Sequence, residues 1–135
     1  MEDMQTGKEK ILVVDDLYAH RTLIVQYLED AGYQVNSCVT PEDVGDQILE
    51  CKVVVMDVHY GRERPLAGLD YIVEEIQNGR INPDRTNIIF KSIWGRDRPE
   101  LAERLQRVGK FEWLDAREGL ELTELREILK RSEAS

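Results

Sequence analysis

The chain lacks any long hydrophobic run. None of its apolar stretches approaches the ~20 residues that a helix needs to cross a bilayer, so we expect no membrane contact. Its first ten residues, MEDMQTGKEK, are polar and acidic, unlike a secretory signal peptide. We therefore expect a cytoplasmic protein with a single domain over residues 1–135 and an ordered core over about residues 9–131.

Cysteine and histidine are scarce. Cys38 and Cys51 form no C-x-x-C pattern, and two reduced thiols are the expected state in a cytosolic protein. His20 and His59 have no ligand-like spacing, which argues against a zinc site. The glycine-rich nucleotide-binding patterns G-x-G-x-x-G and G-x-x-x-x-G-K-[ST] are missing, as is the nucleophile-elbow motif of serine hydrolases.

Positive charge is in deficit. The chain has 18 Lys and Arg against 27 Asp and Glu, a net charge of −9. This charge argues against general nucleic-acid binding, so we expect no direct nucleic-acid partner. Residues 61–110 are locally basic, and a solvated face of mixed charge is the usual meaning of such a segment.

Short apolar segments alternate with helical stripes along the whole chain. The predicted strands are residues 11–14, 33–39, 53–56, 87–92 and 111–114. The predicted helices are an apolar stripe over 23–31, a helix opened by Thr40-Pro41 that carries Val44, Ile48 and Leu49, a stripe over 69–76, a helix from Pro99 to Gly109, and a last helix over about 120–131. This alternation predicts an open α/β fold with a parallel sheet and helices on both of its faces.

Acidic residues follow two of these strands directly. Asp15 and Asp16 come after the first strand, and Asp57 comes after the third. Ligands of open α/β sheets bind at the carboxyl ends of the strands, so the three side chains would converge if these strands are neighbours. Helix capping would account for one acid, but a cluster of three needs a cation such as Mg²⁺. The sequence therefore predicts a magnesium site.

KILVVDDLYAHRTLIVQYLEDAGYQV combines an acid pair, an arginine in the first predicted helix and a Gly-aromatic pair before the second strand. VVVMD is the third predicted strand with its terminal acid, and NIIFKS is the fourth with a terminal serine. In these motifs and their order, residues 10 to 131 resemble a bacterial response-regulator receiver domain, the module of two-component signalling found in chemotaxis regulators. The resemblance implies a flavodoxin-like, doubly wound fold of five parallel strands in the order 2-1-3-4-5.

The resemblance also implies a ligand set for the metal. Asp16 would bind Mg²⁺ directly and Asp15 through water. Asp57 and the backbone carbonyl of His59 would complete the protein ligands.

The resemblance further implies a signalling switch rather than an enzyme, one that catalyses only its own phosphotransfer and dephosphorylation. Asp57 would attack a phosphohistidine and carry the phosphoryl group as an acyl phosphate. Ser92 would then move to contact the phosphoryl group, and the aromatic ring of Trp113 would report that movement. The implied partners are a histidine kinase or phosphotransfer protein, an unidentified output partner, and a second copy bound through the last helix-strand-helix face.

Two features depart from the family pattern. The lysine expected on the fifth strand is replaced by Ala116, which Arg117 follows. Lys91 is a candidate substitute for that cation, but it precedes Ser92, so strand alternation predicts that it points away. Arg117 would need a bulge to reach inward. Neither residue is well aimed on this interpretation, which predicts weak coupling between phosphorylation and the switch.

The other departure is the loop after Asp57. HYGRERPLA replaces the family's turn, and Gly68-Leu69 comes three residues late. We predict that residues 62–64, Arg-Glu-Arg, form an exposed and mobile loop beside the site.

The missing lysine leaves a second interpretation open, a pseudo-receiver that binds partners without phosphorylation. A third, a phosphatase of the haloacid dehalogenase type, requires D-x-D after the first strand. Asp15-Asp16-Leu17 does not supply that pattern.

Overall fold

The protein is described by a computed structural model over residues 9–116 and 121–134. Its strands are β1 (Lys10–Val14), β2 (Gln34–Cys38), β3 (Val53–Asp57), β4 (Asn87–Ser92) and β5 (Glu112–Asp115). Its α-helices are α1 (Tyr18–Asp30), α2 (Ala67–Gln77), α3 (Ala102–Val108) and α4 (Glu121–Ala134). The strands form one parallel sheet in the order β2-β1-β3-β4-β5, which confirms the predicted topology.

The sheet is covered on both faces because its central strands are apolar on both sides. On one face, Val13, Val55 and Ile89 pack against α1 and α4. On the other face, Val54, Met56 and Phe90 pack against α2, α3 and the segment between β2 and β3. Such two-sided burial is what near-continuous apolar strands require. No described helix has the length and apolar content needed to cross a membrane.

The connection from β2 to β3 differs from the prediction. Instead of an α-helix it contains two short 3₁₀-helices, Pro41–Asp43 and Gly45–Leu49. Val44 separates them, and the second begins at Gly45, whose φ of +54° is outside the right-handed helical region. Val44 and Ile48 are buried as predicted, whereas Leu49 is 57% exposed. The expected helix is therefore wrong, and two of its three apolar residues are buried.

The remaining elements keep their type with small shifts at their ends. β2 begins one residue later than predicted, and β5 lies one residue later. Pro99–Leu101 is a 3₁₀-helix that leads into α3. The expected start of the last helix, near residue 120, lies outside the described residues. Cys38 and Cys51 are free and buried, as expected.

Candidate functional site

Three carboxylates meet at the carboxyl edge of the sheet. β1 and β3 are neighbours, which brings Asp15 and Asp16 beside Asp57. One carboxylate oxygen from each residue lies within 4.8 Å of the others. Asp15 is completely buried and Asp57 is 8% exposed, while Asp16 is more accessible. The predicted convergence of the three acids is confirmed.

The contacts of Asp15 show how far helix capping explains this acid. Its Oδ1 accepts a hydrogen bond from the backbone N–H of Leu17 at 2.9 Å, just before α1. Its backbone carbonyl accepts one from Arg21 at 2.8 Å. Its Oδ2, however, accepts no hydrogen bond from any residue that the structure describes. Capping therefore satisfies one carboxylate oxygen and leaves the other facing the site.

Lys91 faces the acids, contrary to the expectation from the sequence. Its Nζ lies 3.0 Å from Oδ2 of Asp15, and its side chain is only 5% exposed. The reason is the register of the sheet, because Lys91 is the direct partner of Asp57 across β3 and β4. Paired residues of parallel strands point to the same face, and alternation places Ser92 on the opposite face. The predicted outward orientation is wrong.

The carboxyl group of Asp57 is held in a crowded environment. Burial, followed by the charge of Asp15, raises its pKa from 3.8 to about 7. The ammonium of Lys91 and the backbone N–H of His59, which donates to Oδ1 at 3.3 Å, oppose this rise. The charges already present therefore do not compensate the acid cluster fully.

The acid cluster fits a hard divalent cation. Its donors are carboxylate oxygens, which Mg²⁺ and Ca²⁺ prefer. Oδ2 of Asp15 is buried without a hydrogen bond, and the pKa of Asp57 is raised, so added positive charge would stabilise both groups. The structure thus supplies a suitable donor set from Asp15, Asp16 and Asp57.

The start of α2 packs closely on the backbone of Asp57. The N–H of Gly68 donates to the carbonyl of Val58 at 3.1 Å. A Cβ atom at Gly68 would lie 1.9 Å from the carbonyl oxygen of Asp57. Only glycine permits this approach, so Gly68 fixes the distance between α2 and the end of β3.

The hydroxyl of Ser92 makes two hydrogen bonds, one as donor and one as acceptor. Nδ1 of His59 lies 2.6 Å from the carbonyl oxygen of Pro65, which can only accept, so Nδ1 carries the proton. Burial lowers the pKa of His59, which favours a neutral ring with an accepting Nε2. Ser92 therefore donates to Nε2 at 2.7 Å and accepts from the backbone N–H of Trp94 at 2.8 Å.

Trp113 is connected to the same network through Trp94. Its indole Nε1 donates to the carbonyl of Trp94 at 3.0 Å, and its ring lies against Phe90. The ring of Trp94 in turn contacts that of His59, with centroids 4.8 Å apart. Hydrogen bonds thus link Ser92 to Trp113 through one intervening residue.

The loop after Asp57 is exposed over residues 61–65, as predicted for 62–64. Its ends are attached to the fold. The carbonyl of Arg64 accepts from the backbone N–H groups of Tyr60 at 3.0 Å and Ala67 at 3.3 Å. The hydroxyl of Tyr60 donates to the carbonyl of Val14 at 3.1 Å, beneath the acid cluster. The mobility of the loop stays a prediction.

The expected lysine position contains Ala116, one residue beyond the end of β5. Arg117, the other candidate cation, lies outside the described residues.

Two contributions to the site were not predicted from the sequence. The side chain of His59 contacts Ser92, although the prediction used only its backbone carbonyl. Gly68 was noted for its spacing, but its contact with Asp57 depends on how α2 packs. A glycine in the first turn of the helix that follows the loop after Asp57 was the available signal.

No protein-family model matches the chain, and no curated protein matches it in sequence. Solved structures do match it. The chemotaxis protein CheY4 of Vibrio cholerae has 22% identity and a TM-score of 0.73, over 92% of this chain and 98% of its own. The receiver domain of Francisella response regulator 1452 has 18% identity and a TM-score of 0.72, over 94% and 98%.

TrrA of Thermotoga maritima, a response regulator solved in complex with Mg²⁺ and BeF, has 20% identity and a TM-score of 0.68, over 91% of this chain and 97% of its own. These likenesses show that the chain has the fold of CheY-like response-regulator receiver domains.

Proposed function

We propose that this protein is a phospho-accepting receiver of a two-component or phosphorelay system. The observation that carries the proposal is the cluster of Asp15, Asp16 and Asp57 at the carboxyl edge of a receiver-like sheet. The donor would be a phosphohistidine of a histidine kinase or phosphotransfer protein in the cytoplasm. An oxygen of Asp57 would bond to phosphorus while the P–N bond breaks and its electron pair remains on the imidazole nitrogen.

The cofactor in this proposal is Mg²⁺, held by Asp15, Asp16, Asp57 and the backbone carbonyl of His59. When bound it would offset the charge that gathers on the phosphoryl oxygens, which is the main requirement of phosphoryl transfer. The chain itself positions the nucleophile, since Gly68 and the N–H of His59 fix the backbone and one oxygen of Asp57. TrrA, solved with Mg²⁺ and BeF, supports this assignment by its shared fold.

The proposed output begins at Ser92. To contact a phosphoryl group on Asp57, its hydroxyl would leave His59, and the linked backbone of Trp94 would transmit the change to Trp113. A pseudo-receiver is the second candidate function. It is favoured by Ala116 at the expected lysine position and by the Ser92 hydroxyl, whose proton is already donated to His59.

Tryptophan fluorescence can test this proposal, because Trp94 and Trp113 adjoin the site. We expect Mg²⁺ with beryllofluoride, a phosphoryl analogue, to change the fluorescence of the wild type and not of Asp57→Asn. Asp16→Asn should lose the response to Mg²⁺ alone. A wild type that binds Mg²⁺ but gives no response to beryllofluoride would favour the pseudo-receiver.

A further inference from the structure

Lys91 occupies an unusual place for a lysine. In the described part of the chain it is the one buried lysine, with 4% of its surface exposed. The other described lysines, Lys10, Lys52, Lys110 and Lys130, are exposed or half-buried. Burying an ammonium group is costly unless it has a charged partner, so its position calls for an explanation.

The sheet register places this ammonium beside the proposed phosphoacceptor. Val55 of β3 pairs with Val13 of β1 and Ile89 of β4, and all three face α1 and α4. Two residues further along, the same face carries Asp15, Asp57 and Lys91. One row of side chains therefore contains two acids and one cation, supplied by three adjacent strands.

The partners of Lys91 hold its Nζ in this row. Oδ2 of Asp15 lies 3.0 Å away, and Nδ1 of His20 on α1 lies 3.4 Å away. The contact with Asp15 is an ion pair and not a directed hydrogen bond, since that oxygen accepts none. The N–H groups of Lys91 are thus not all committed, and they remain available to a new acceptor.

We infer that Lys91 is the cation that holds the phosphoryl group of Asp57, supplied by β4 in place of the residue at Ala116. This inference rests on the proposed function. A phosphoryl group on Asp57 carries up to about two negative charges, in a site where Asp15 and Asp16 remain as acids. Lys91 shares the face and the register of Asp57, so its ammonium offsets part of that charge by charge-assisted hydrogen bonds to the phosphoryl oxygens. Ala116 adds no competing cation.

The simpler interpretation is that Lys91 only balances Asp15 within the fold. The two interpretations separate in Lys91→Gln, since the amide of glutamine is a polar neighbour for Asp15 that carries no charge. The double variant, Lys91→Gln combined with Ala116→Lys, returns a positive charge to the end of the fifth strand. It is a second way to separate the two interpretations. Lys110→Gln is the matched control, because it removes an exposed positive charge. Lys110 lies just before β5, whereas Ala116 lies just after it.

The experiment measures phosphorylation by acetyl phosphate with intact-mass spectrometry. Acetate is the leaving group, and the bond from phosphorus to its oxygen breaks as Asp57 bonds to phosphorus. Circular dichroism reports folding, and tryptophan fluorescence reports Mg²⁺ affinity. We expect Lys91→Gln to be phosphorylated at least about tenfold more slowly than the wild type, with Mg²⁺ bound as tightly or more tightly. The double variant should recover most of the rate, and Lys110→Gln should match the wild type.

A folded Lys91→Gln that is phosphorylated at the wild-type rate would overturn the inference. So would a slow Lys91→Gln that the added Ala116→Lys does not improve. If Lys91→Gln does not fold, the charge-retaining variant Lys91→Arg is measured instead. A folded Lys91→Arg whose phosphorylation is as slow as that of an Asp57→Asn control would contradict the inference. A wild type that takes up no phosphoryl group while binding Mg²⁺ refutes the proposed function itself.

Discussion

Asp15 and Glu75 are both buried carboxylates with a basic partner, yet their surroundings differ. Glu75, on α2, accepts from Nε of Arg80 at 2.7 Å and from the hydroxyl of Tyr71 at 3.2 Å. Arg80 also donates to Asp46 at 3.2 Å and to the carbonyl of Gly45 at 2.9 Å. Hydrogen bonds from two residues thus converge on Oε1 of Glu75, and Arg80 ties the end of α2 to the segment before β3.

The carboxylate of Asp15 has less support from hydrogen bonds. One of its oxygens accepts no hydrogen bond from the described residues, and Asp16 and Asp57 add further negative charge beside it. Burial without full compensation is costly, so a protein has reason to keep it only where a ligand completes the site. The comparison separates an ion pair that is supported by further hydrogen bonds from one that lies beside uncompensated negative charge.

The largest effect on stability is expected where the ion pair of Glu75 and Arg80 is broken. Arg80→Met keeps an aliphatic stem but leaves the carboxylate of Glu75 without its charged partner, and we expect a loss of about 3 kcal/mol in the free energy of unfolding. Arg107→Met is the matched control, because Arg107 and Glu103 form an exposed pair at 3.7 Å. Its cost should be below about 0.5 kcal/mol. Equal urea midpoints for the two variants would show that the Glu75 pair is not special.

At the acid cluster, by contrast, a substitution that removes a charge should stabilise the protein. The folded state raises the pKa of Asp57 from 3.8 to about 7, so folding favours its protonated form. Stability in metal-free buffer should therefore fall as the pH rises from about 4 through about 7. Asp57→Asn removes this loss, and we expect it to be more stable than the wild type by a few kcal/mol at pH 8 and about as stable near pH 4.

Glu75→Gln provides the comparison for that measurement. It should be less stable than the wild type at pH 8 by about 1 kcal/mol, because a charge-assisted contact becomes a neutral one. Urea unfolding of both variants over this pH range measures whether each substitution raises or lowers the free energy of unfolding. If Asp57→Asn and Glu75→Gln shift stability in the same direction at pH 8, the distinction between the two acids is wrong.

The smallest effect is expected at an exposed pair. Arg64 and Glu42 are in contact, with side chains 46% and 61% exposed. Solvent and side-chain entropy reduce the value of such pairs, so Arg64→Ala should change the free energy of unfolding by less than about 0.5 kcal/mol. A double-mutant cycle with Glu42→Ala measures the coupling directly. A coupling above about 1 kcal/mol would mean that this contact anchors the loop after Asp57.

Most of the architecture could be predicted from local pattern. Apolar strands ending in acids fixed the positions of Asp15, Asp16 and Asp57, since the carboxyl ends of parallel strands meet at one edge. The segment from Thr40 to Leu49 was harder, because two short 3₁₀-helices and one α-helix place buried residues at similar spacings. Gly45 was the local signal for the break, and its positive φ becomes evident only in the structure.

The orientation of Lys91 could not be read from its own strand. Alternation along β4 separates Lys91 from Ser92, but only the pairing of β4 with β3 shows which of them shares a face with Asp57. The role of His59 has the same non-local origin, because its ring contacts residues 6 and 33 positions away in the chain. Register and loop packing therefore decide the parts of the site that sequence pattern leaves open.

Locating the phosphoryl group on the chain shows whether Asp57 is the phosphoacceptor. The protein is incubated with acetyl phosphate and Mg²⁺, acyl phosphates are reduced with borohydride, and the modified residue is identified by peptide mass spectrometry. If Asp57 is the phosphoacceptor, we expect one modified residue per chain, Asp57. We expect no modification when Mg²⁺ is chelated or when Asp57 is replaced by Asn. Modification at another residue, or full phosphoryl uptake by Asp57→Asn, would contradict this assignment.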